Sequence, residues 1–546
     1  MNKTRKFIII VSWITVSLLH ITLYSTARNT NKIIQHNLPQ IEKINIVNRF
    51  GADPTGKKSS HDAFEAAANY INKRHGYVDL YIPRGIYRTG RQIRMKAEGE
   101  SIFGFKGSNI FSLLNCSNVL IHGDGSNKTK IVLTDGLRYG SFKANGEPPA
   151  NPNDNNWYAK RNDKDFKMKE YYPYRADIGC VIKLSQCSNI TINDIGIDGN
   201  SGKYILGGDW SDSGKQIDAD AFMIEKSSNL RLSAIAIKAM GRDGILIIAP
   251  GDTDPLRLTN HDITFDKVDI TGCGRNGISW CSGSDFNFIN CSVSYTGFGA
   301  VKSAPASAID IEPELSICRN GNFVNCIFNN NYNSGLICDR GNNPIPDAYA
   351  MKFTNCSFIQ DSSGVYANFL RGKANSFLFT KCRFHGASLD AVNAESSSGG
   401  TTYRNCFFTD CYNGVGAWKD INSFLLQAMG SHLLIDSCVF THYNIGALAI
   451  RGEGKKCTET EEGRKTVIKN SSFNSYLFKC SKAPCPPVGS GYAWLTKFLN
   501  NTFNFGDIPY QIDPAPGCSG TGNSDLGYGL VMKKYPPQFK MPVCKK

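Results

Sequence analysis

A short aromatic strand that ends in Asn-Cys, or a close variant of it, recurs down the middle of this chain. The copies are Phe288-Ile289-Asn290-Cys291, Phe323-Val324-Asn325-Cys326, Phe353-Thr354-Asn355-Cys356, Phe379-Thr380-Lys381-Cys382, Tyr403-Arg404-Asn405-Cys406 and Ile435-Asp436-Ser437-Cys438. Their cysteines are 35, 30, 26, 24 and 32 residues apart. A repeat of that size and variable length marks a stacked solenoid whose turns differ in their loops.

A second phrase alternates with the first: Gly244-Ile245-Leu246-Ile247, Gly277-Ile278-Ser279-Trp280, Ala308-Ile309-Asp310-Ile311, Gly335-Leu336-Ile337-Cys338, Gly364-Val365-Tyr366-Ala367, Ala391-Val392-Asn393-Ala394 and Gly414-Val415-Gly416-Ala417. Its second and fourth positions are always apolar, while its third varies freely. That period of two belongs to a strand with one buried face, and no apolar period near 3.6 competes with it. At least two short strands per turn, joined by Gly, Asn and Ser, predict a parallel β-helix. Like side chains of successive turns then lie about 4.8 Å apart. Asn at the bends can bond up the stack and tolerates left-handed backbone, while Cys beside it is a small apolar filler. The absence of CxxC spacing argues against zinc.

The N-terminus places Lys3, Arg5 and Lys6 before the apolar run Phe7 to Leu19 and the small residues Ser25-Thr26-Ala27. This order predicts a secretory signal over 1–27, with an uncleaved membrane anchor as the alternative. An exported protein, secreted, periplasmic or at the cell surface, is the expectation. Residues 28–45 read as a mobile lead-in, 46–505 as the β-helix with its cap, and 506–546 as an irregular tail. The cysteines number nineteen, so at least one is unpaired unless chains cross-link. Those in the repeat read as reduced and buried, whereas Cys457, Cys480, Cys485, Cys518 and Cys544 are the expected disulfide formers after export. The net charge of +14 suits an acidic partner such as a uronate or sulfated polysaccharide. No nucleic-acid reader motif or tight basic stripe is present.

Residues 46–87 contain Phe50-Gly51-Ala52-Asp53-Pro54-Thr55-Gly56, a helix-like segment from Asp62 to Ile71, and Tyr81-Ile82-Pro83-Arg84-Gly85-Ile86-Tyr87. This stretch resembles the opening of the pectate lyase superfamily: a strand and turn, a capping helix, and the strand that starts the coil. The resemblance implies a right-handed, single-stranded parallel β-helix with a short N-terminal capping helix. It leaves the reaction open, because the superfamily holds lyases, hydrolases, epimerases and non-enzymatic phage fibres. Asp218-Ala219-Asp220 resembles an acidic motif of polygalacturonases, but the Gly-His-Gly and Arg-Ile-Lys motifs of those enzymes are missing.

With positions two and four of the second phrase inward, positions three and five point out. Asp310 and Glu312 then leave one face about 6.6 Å apart, and Asp339 occupies Glu312's position one coil on. Carboxylates gathered on a packed scaffold repel one another, so they point to use. In a glycoside hydrolase one would protonate the glycosidic oxygen and another would serve as base or nucleophile. In a lyase the three would hold Ca2+ against a substrate uronate, with Arg340 or a lysine as base. The hydrolase needs no cofactor and is the first expectation; a non-catalytic glycan-binding or surface-structural β-helix is the third. Asp243, in the column of residues that opens each phrase, joins Asp310, Glu312 and Asp339 as a candidate catalytic group. Arg242, Arg275 and Arg340 are candidate grips for a carboxylate or sulfate. Tyr366 and Trp418 are candidate sugar platforms, and Asn368 and Glu395 continue the outward position-five column.

Overall fold

The computed structural model describes residues 41–359, apart from 75, 96–102, 144, 149–173, 208–216, 251–258, 314–315 and 339–347; of the later coils, little beyond the strands up to residue 532 is described. The chain is a parallel β-helix. One sheet of 14 parallel strands runs along it, and a 29-stranded sheet holds the remaining faces of the coil. A typical coil has three strands: Ile278–Trp280 in the first sheet, then Gly283–Ile289 and Ser292–Ser294 in the second. The sequence pattern showed two of these columns. The third begins just after each Asn-Cys bend.

The bend explains the phrase. Asn290, Asn325, Asn355, Lys381, Asn405 and Ser437 all have φ between 52° and 57°, a left-handed conformation that short polar side chains accept most readily. Asn325 donates from Nδ2 to Asn290 Oδ1 at 3.1 Å, and Asn355 to Asn325 Oδ1 at 2.8 Å. The phenylalanines before the bends stack inside the coil. Ring centroids of Phe265, Phe288, Phe323, Phe353 and Phe379 are 4.7, 4.5, 4.4 and 4.8 Å apart in turn. These separations match the strand repeat, so every coil buries its ring on the one before. Cys291, Cys326, Cys356, Cys382, Cys406 and Cys438 are buried free thiols. The predicted disulfide formers lie outside the described residues, as does the predicted signal segment.

The small residue that opens the second phrase has a steric cause. A Cβ on Gly277 would meet Val293 Cγ1 at 2.2 Å, and one on Gly244 would meet Ile270 Cγ2 at 2.7 Å.

Three expectations change at the ends. Residues Glu42–Asn45, placed in the lead-in, form a strand paired with Val78–Tyr81. The stretch from Phe50, read as strand and turn, is entered through a short helix, Ile46–Phe50, whose Val47 and Asn48 N–H groups are capped by Asn45 and whose Ile46 is buried. The tail beyond 506 keeps the coil rhythm, with Ser519–Thr521 pairing Lys497–Leu499 and Ser524–Asp525 pairing Thr502 and Phe503. Its Gly and Pro content hid those short strands from the periodicity. The capping helix spans His61–Lys73 and buries Ala63, Phe64, Ala67, Ala68 and Ile71 against the first coils. Among the described residues, no helix is long and apolar enough to cross a membrane.

Candidate functional site

The 14-stranded sheet presents one outward column through Lys183, Met223, Leu246, Ser279, Asp310 and Ile337, each in register with the next. Toward the N-terminus the outer face is apolar: Cys180, Met223, Leu246 and Cys281 pack together there. It turns polar at Ser279 and acidic at Asp310.

Just before these strands the chain makes a ladder from coil to coil. Asp220 Oδ1 accepts from the Asp243 backbone N–H at 3.0 Å, and Asp243 Oδ1 from Asn276 N–H at 3.0 Å. Asn276 Oδ1 accepts from Ser307 N–H at 3.1 Å. Asp and Asn stand in this column because a short side-chain oxygen at the bend can take the N–H of the next coil.

The other oxygens and two arginines tie this ladder to the outward column. Asp243 Oδ2 accepts from Ser279 Oγ at 2.8 Å and from Arg275 Nη1 at 3.2 Å. Arg275 Nη2 lies 4.0 Å from Asp310 Oδ2 and 3.7 Å from Glu312 Oε2. Asn276 Nδ2 donates to Asp310 Oδ2 at 3.0 Å. One coil earlier, Arg242 Nη1 lies 3.0 Å from Asp218 Oδ1 and 3.6 Å from Asp220 Oδ2. Side-chain exposure falls from 46% at Asp218 and 27% at Glu312 to 4% at Asp310 and 0% at Asp220 and Asp243. Solvent therefore meets this cluster chiefly at Asp218 and Glu312.

Burial separates the acids. It pushes the Asp310 carboxyl well above the ordinary carboxylate range, the neighbouring Glu312 charge adds to this, and Arg275 opposes it. Burial likewise raises Asp220 to about 8 against the pull of Arg242. Burial also lifts Asp361, bonded to Asn331 in a separate bend, to about 8. Asp220 and Asp361 carry protons in the folded chain that they lose near pH 4 when unfolded. The folded state then binds more protons than the unfolded one across that window, so stability falls as pH rises from about 4 to about 8. Each carboxyl contributes up to about 1.4 kcal/mol per pH unit to the slope. Urea midpoints at pH 5 and pH 8 check this; a midpoint that rises with pH would contradict the protonated assignment.

Of the residues singled out in the sequence, Asp243, Asp310, Glu312, Arg242 and Arg275 meet here. The two arginines are turned onto the protein's own carboxylates, because a buried guanidinium needs a partner charge. Tyr366 pairs through its backbone with Ile337, one coil beyond Asp310's neighbour. Asp339, Arg340, Asn368, Glu395 and Trp418 lie outside the described residues. Sequence reasoning passed over Asp218, Ser279 and Asn276 as site members, although Asn276 stands in the same opening column as Asp243. Of the three carboxylates expected to hold calcium in a lyase, Asp310 and Glu312 face Arg275 at 4.0 and 3.7 Å, and Asp339 lies outside the described residues. No group of three or more acidic, His or Cys side chains among the described residues is arranged to hold a metal.

No protein-family model matches the sequence, and no curated protein matches it. Solved structures do. The bacteriophage Phi29 gene product 12 N-terminal fragment is 13% identical, covering 89% of this chain and 71% of its own, with a TM-score of 0.48. The Azotobacter vinelandii mannuronan C-5 epimerase AlgE6 A-module is 12% identical over 90% of this chain and 100% of its own, at TM-score 0.42. A hyperthermoactive exopolygalacturonase from Thermotoga maritima is 13% identical over 86% and 93%, at TM-score 0.36. At this distance the likeness carries nothing about chemistry, which rests on the residues above.

Proposed function

We propose that this chain is an exported glycoside hydrolase acting on an acidic polysaccharide through Asp310 and Glu312. The observation that carries the reading is the split environment of that pair: one carboxyl buried and pushed well above the ordinary carboxylate range, its neighbour two residues on reaching solvent. Titratable groups whose surroundings push them apart are how a single site supplies both an acid and a base. Asp310 donates its proton to the glycosidic oxygen as the bond to the anomeric carbon breaks. Glu312 acts as carboxylate on a water or on the anomeric carbon, the carboxyl separation deciding between the two. Asp243 and Ser279 hold Arg275 in place beside both. The basic chain favours an acidic substrate.

The test is turnover of the purified protein on uronate and sulfated polysaccharides, following new reducing ends and the ultraviolet absorbance of unsaturated uronate. Reducing ends without absorbance, indifferent to chelator, are expected. Absorbance that chelator removes would replace hydrolysis by calcium-assisted elimination. The near-complete burial of Asp310 favours a second reading, a non-catalytic glycan-binding β-helix in which the network is structural. Glycan binding without any product would select it.

A further inference from the structure

From the strand pairing, one bend stands out between the last strand of each coil and the loop that follows. Ala239, Gly272, Tyr295 and Asn330 are stacked there, each N–H bonding to the next coil, with φ of 51°, 66°, 55° and 55°. Glycine and asparagine suit that left-handed backbone, and a tyrosine does not. Nor does packing reward the exception, because Tyr295 is 50% exposed. Its hydroxyl accepts a long hydrogen bond from Asn330 Nδ2 at 3.5 Å, and a large ring kept in this backbone with half its surface in solvent points to use outside the fold.

Two further aromatics join it. Phe298 is 43% exposed and meets Tyr332 edge-on at 5.6 Å between centroids. Lys302 Nζ stands 4.0 Å from the centre of the Tyr332 ring. The layer beneath is fixed: Thr296 bonds Asn331, which bonds Asp361, and Tyr332 N–H donates to Thr296 O at 2.9 Å. Ser303, next to Lys302, donates its N–H to Gly274 O at 2.8 Å, and Gly274 precedes Arg275. The platform is thereby pinned beside the acidic cluster, on the loop that leads into the Asp310 strand.

We infer that Tyr295, Phe298, Tyr332 and Lys302 form a subsite for a carboxylated sugar of the polysaccharide chain. The apolar C–H face of a pyranose lies on the exposed rings of Tyr295 and Phe298, and the Lys302 ammonium, held over the Tyr332 ring, meets the carboxylate. This rests on the reading of an acidic substrate, but it does not require that the substrate be cleaved.

The test is affinity electrophoresis in polygalacturonate and in alginate, each native and methyl-esterified, with turnover measured in parallel. Tyr295→Asn and Phe298→Ala weaken binding to both forms, by roughly tenfold. Lys302→Gln weakens binding to the native polymers and leaves the esterified ones unchanged. Tyr295→Asn, which installs the residue of the next coil, keeps or raises Tm. Phe407→Ala, an equally exposed ring several coils away, binds as the unmodified protein does. Platform variants that bind like the unmodified chain overturn the subsite, as does a chain that retains neither polymer. The two proposals separate cleanly. If Glu312→Gln turns over normally while the platform variants lose binding, the hydrolase falls and the subsite stands. If Glu312→Gln is dead and the platform variants bind normally, the reverse holds.

Discussion

Replacing Glu312 by Gln is expected to lower turnover by about 100-fold or more while leaving the fold intact, the usual size of a lost acid or base. The amide keeps the shape of the side chain, which is part exposed, so little stability depends on its charge. Asp310→Asn is expected to do the same for a different reason. Burial pushes the Asp310 carboxyl well above the ordinary carboxylate range, and an amide is the closest copy of its protonated form that cannot deliver a proton. The hydrogen bond that Asn276 Nδ2 gives to Asp310 Oδ2 finds an amide oxygen in its place. Its signature should also appear in stability against pH. Asp310's raised folded value means that its contribution is complete at low pH and is lost as pH rises. The Asn variant lacks that loss and gains on the parent chain from pH 5 to pH 8. A structural role for the pair predicts a different result, in which both variants turn over normally. Activity assays together with urea midpoints at the two pH values distinguish these cases.

How much of this was legible from the sequence follows from what a linear pattern can record. The stacked rings and thiols were visible because each coil must bury the same kind of group at the same place, so Phe288, Phe323 and Phe353 repeat as letters as well as in space. The outward direction of Asp310 and Glu312 followed from the period of two. Their accessibility did not follow, since what covers Asp310 is Arg275 and Asn276 from the preceding coil, 34 or more residues earlier in the chain. The arginines were misjudged in the same way. Arg242-Asp243 and Arg275-Asn276 read as exposed grips, yet their guanidiniums turn inward because Asp243 sits at 0% exposure and needs a cation. The platform at Tyr295 was missed because a left-handed residue leaves no mark in hydrophobic periodicity; only strand register shows that its neighbours in the column are Gly272 and Asn330.

Arg275→Met is expected to be the most destabilising single change in the cluster, by about 3–5 kcal/mol. The methionine nearly fills the space of the arginine stem, so packing is largely kept and the charge is what goes. Asp243 then retains Ser279 Oγ–H and the Asn276 N–H as hydrogen-bond donors, with Arg242 Nε farther off at 3.9 Å and no exposure to water. A buried carboxylate that loses its nearer counter-ion bears more of its desolvation cost. Adding Asp243→Asn removes the stranded charge directly. The double variant should therefore recover much of the stability, and a double-mutant cycle should give a coupling between the two sites of about 1–3 kcal/mol. Chemical denaturation of the four proteins measures it. Additive losses would mean that Arg275 stabilises the coil by packing alone, and the charge network would then need another explanation, the natural one being a substrate that completes it.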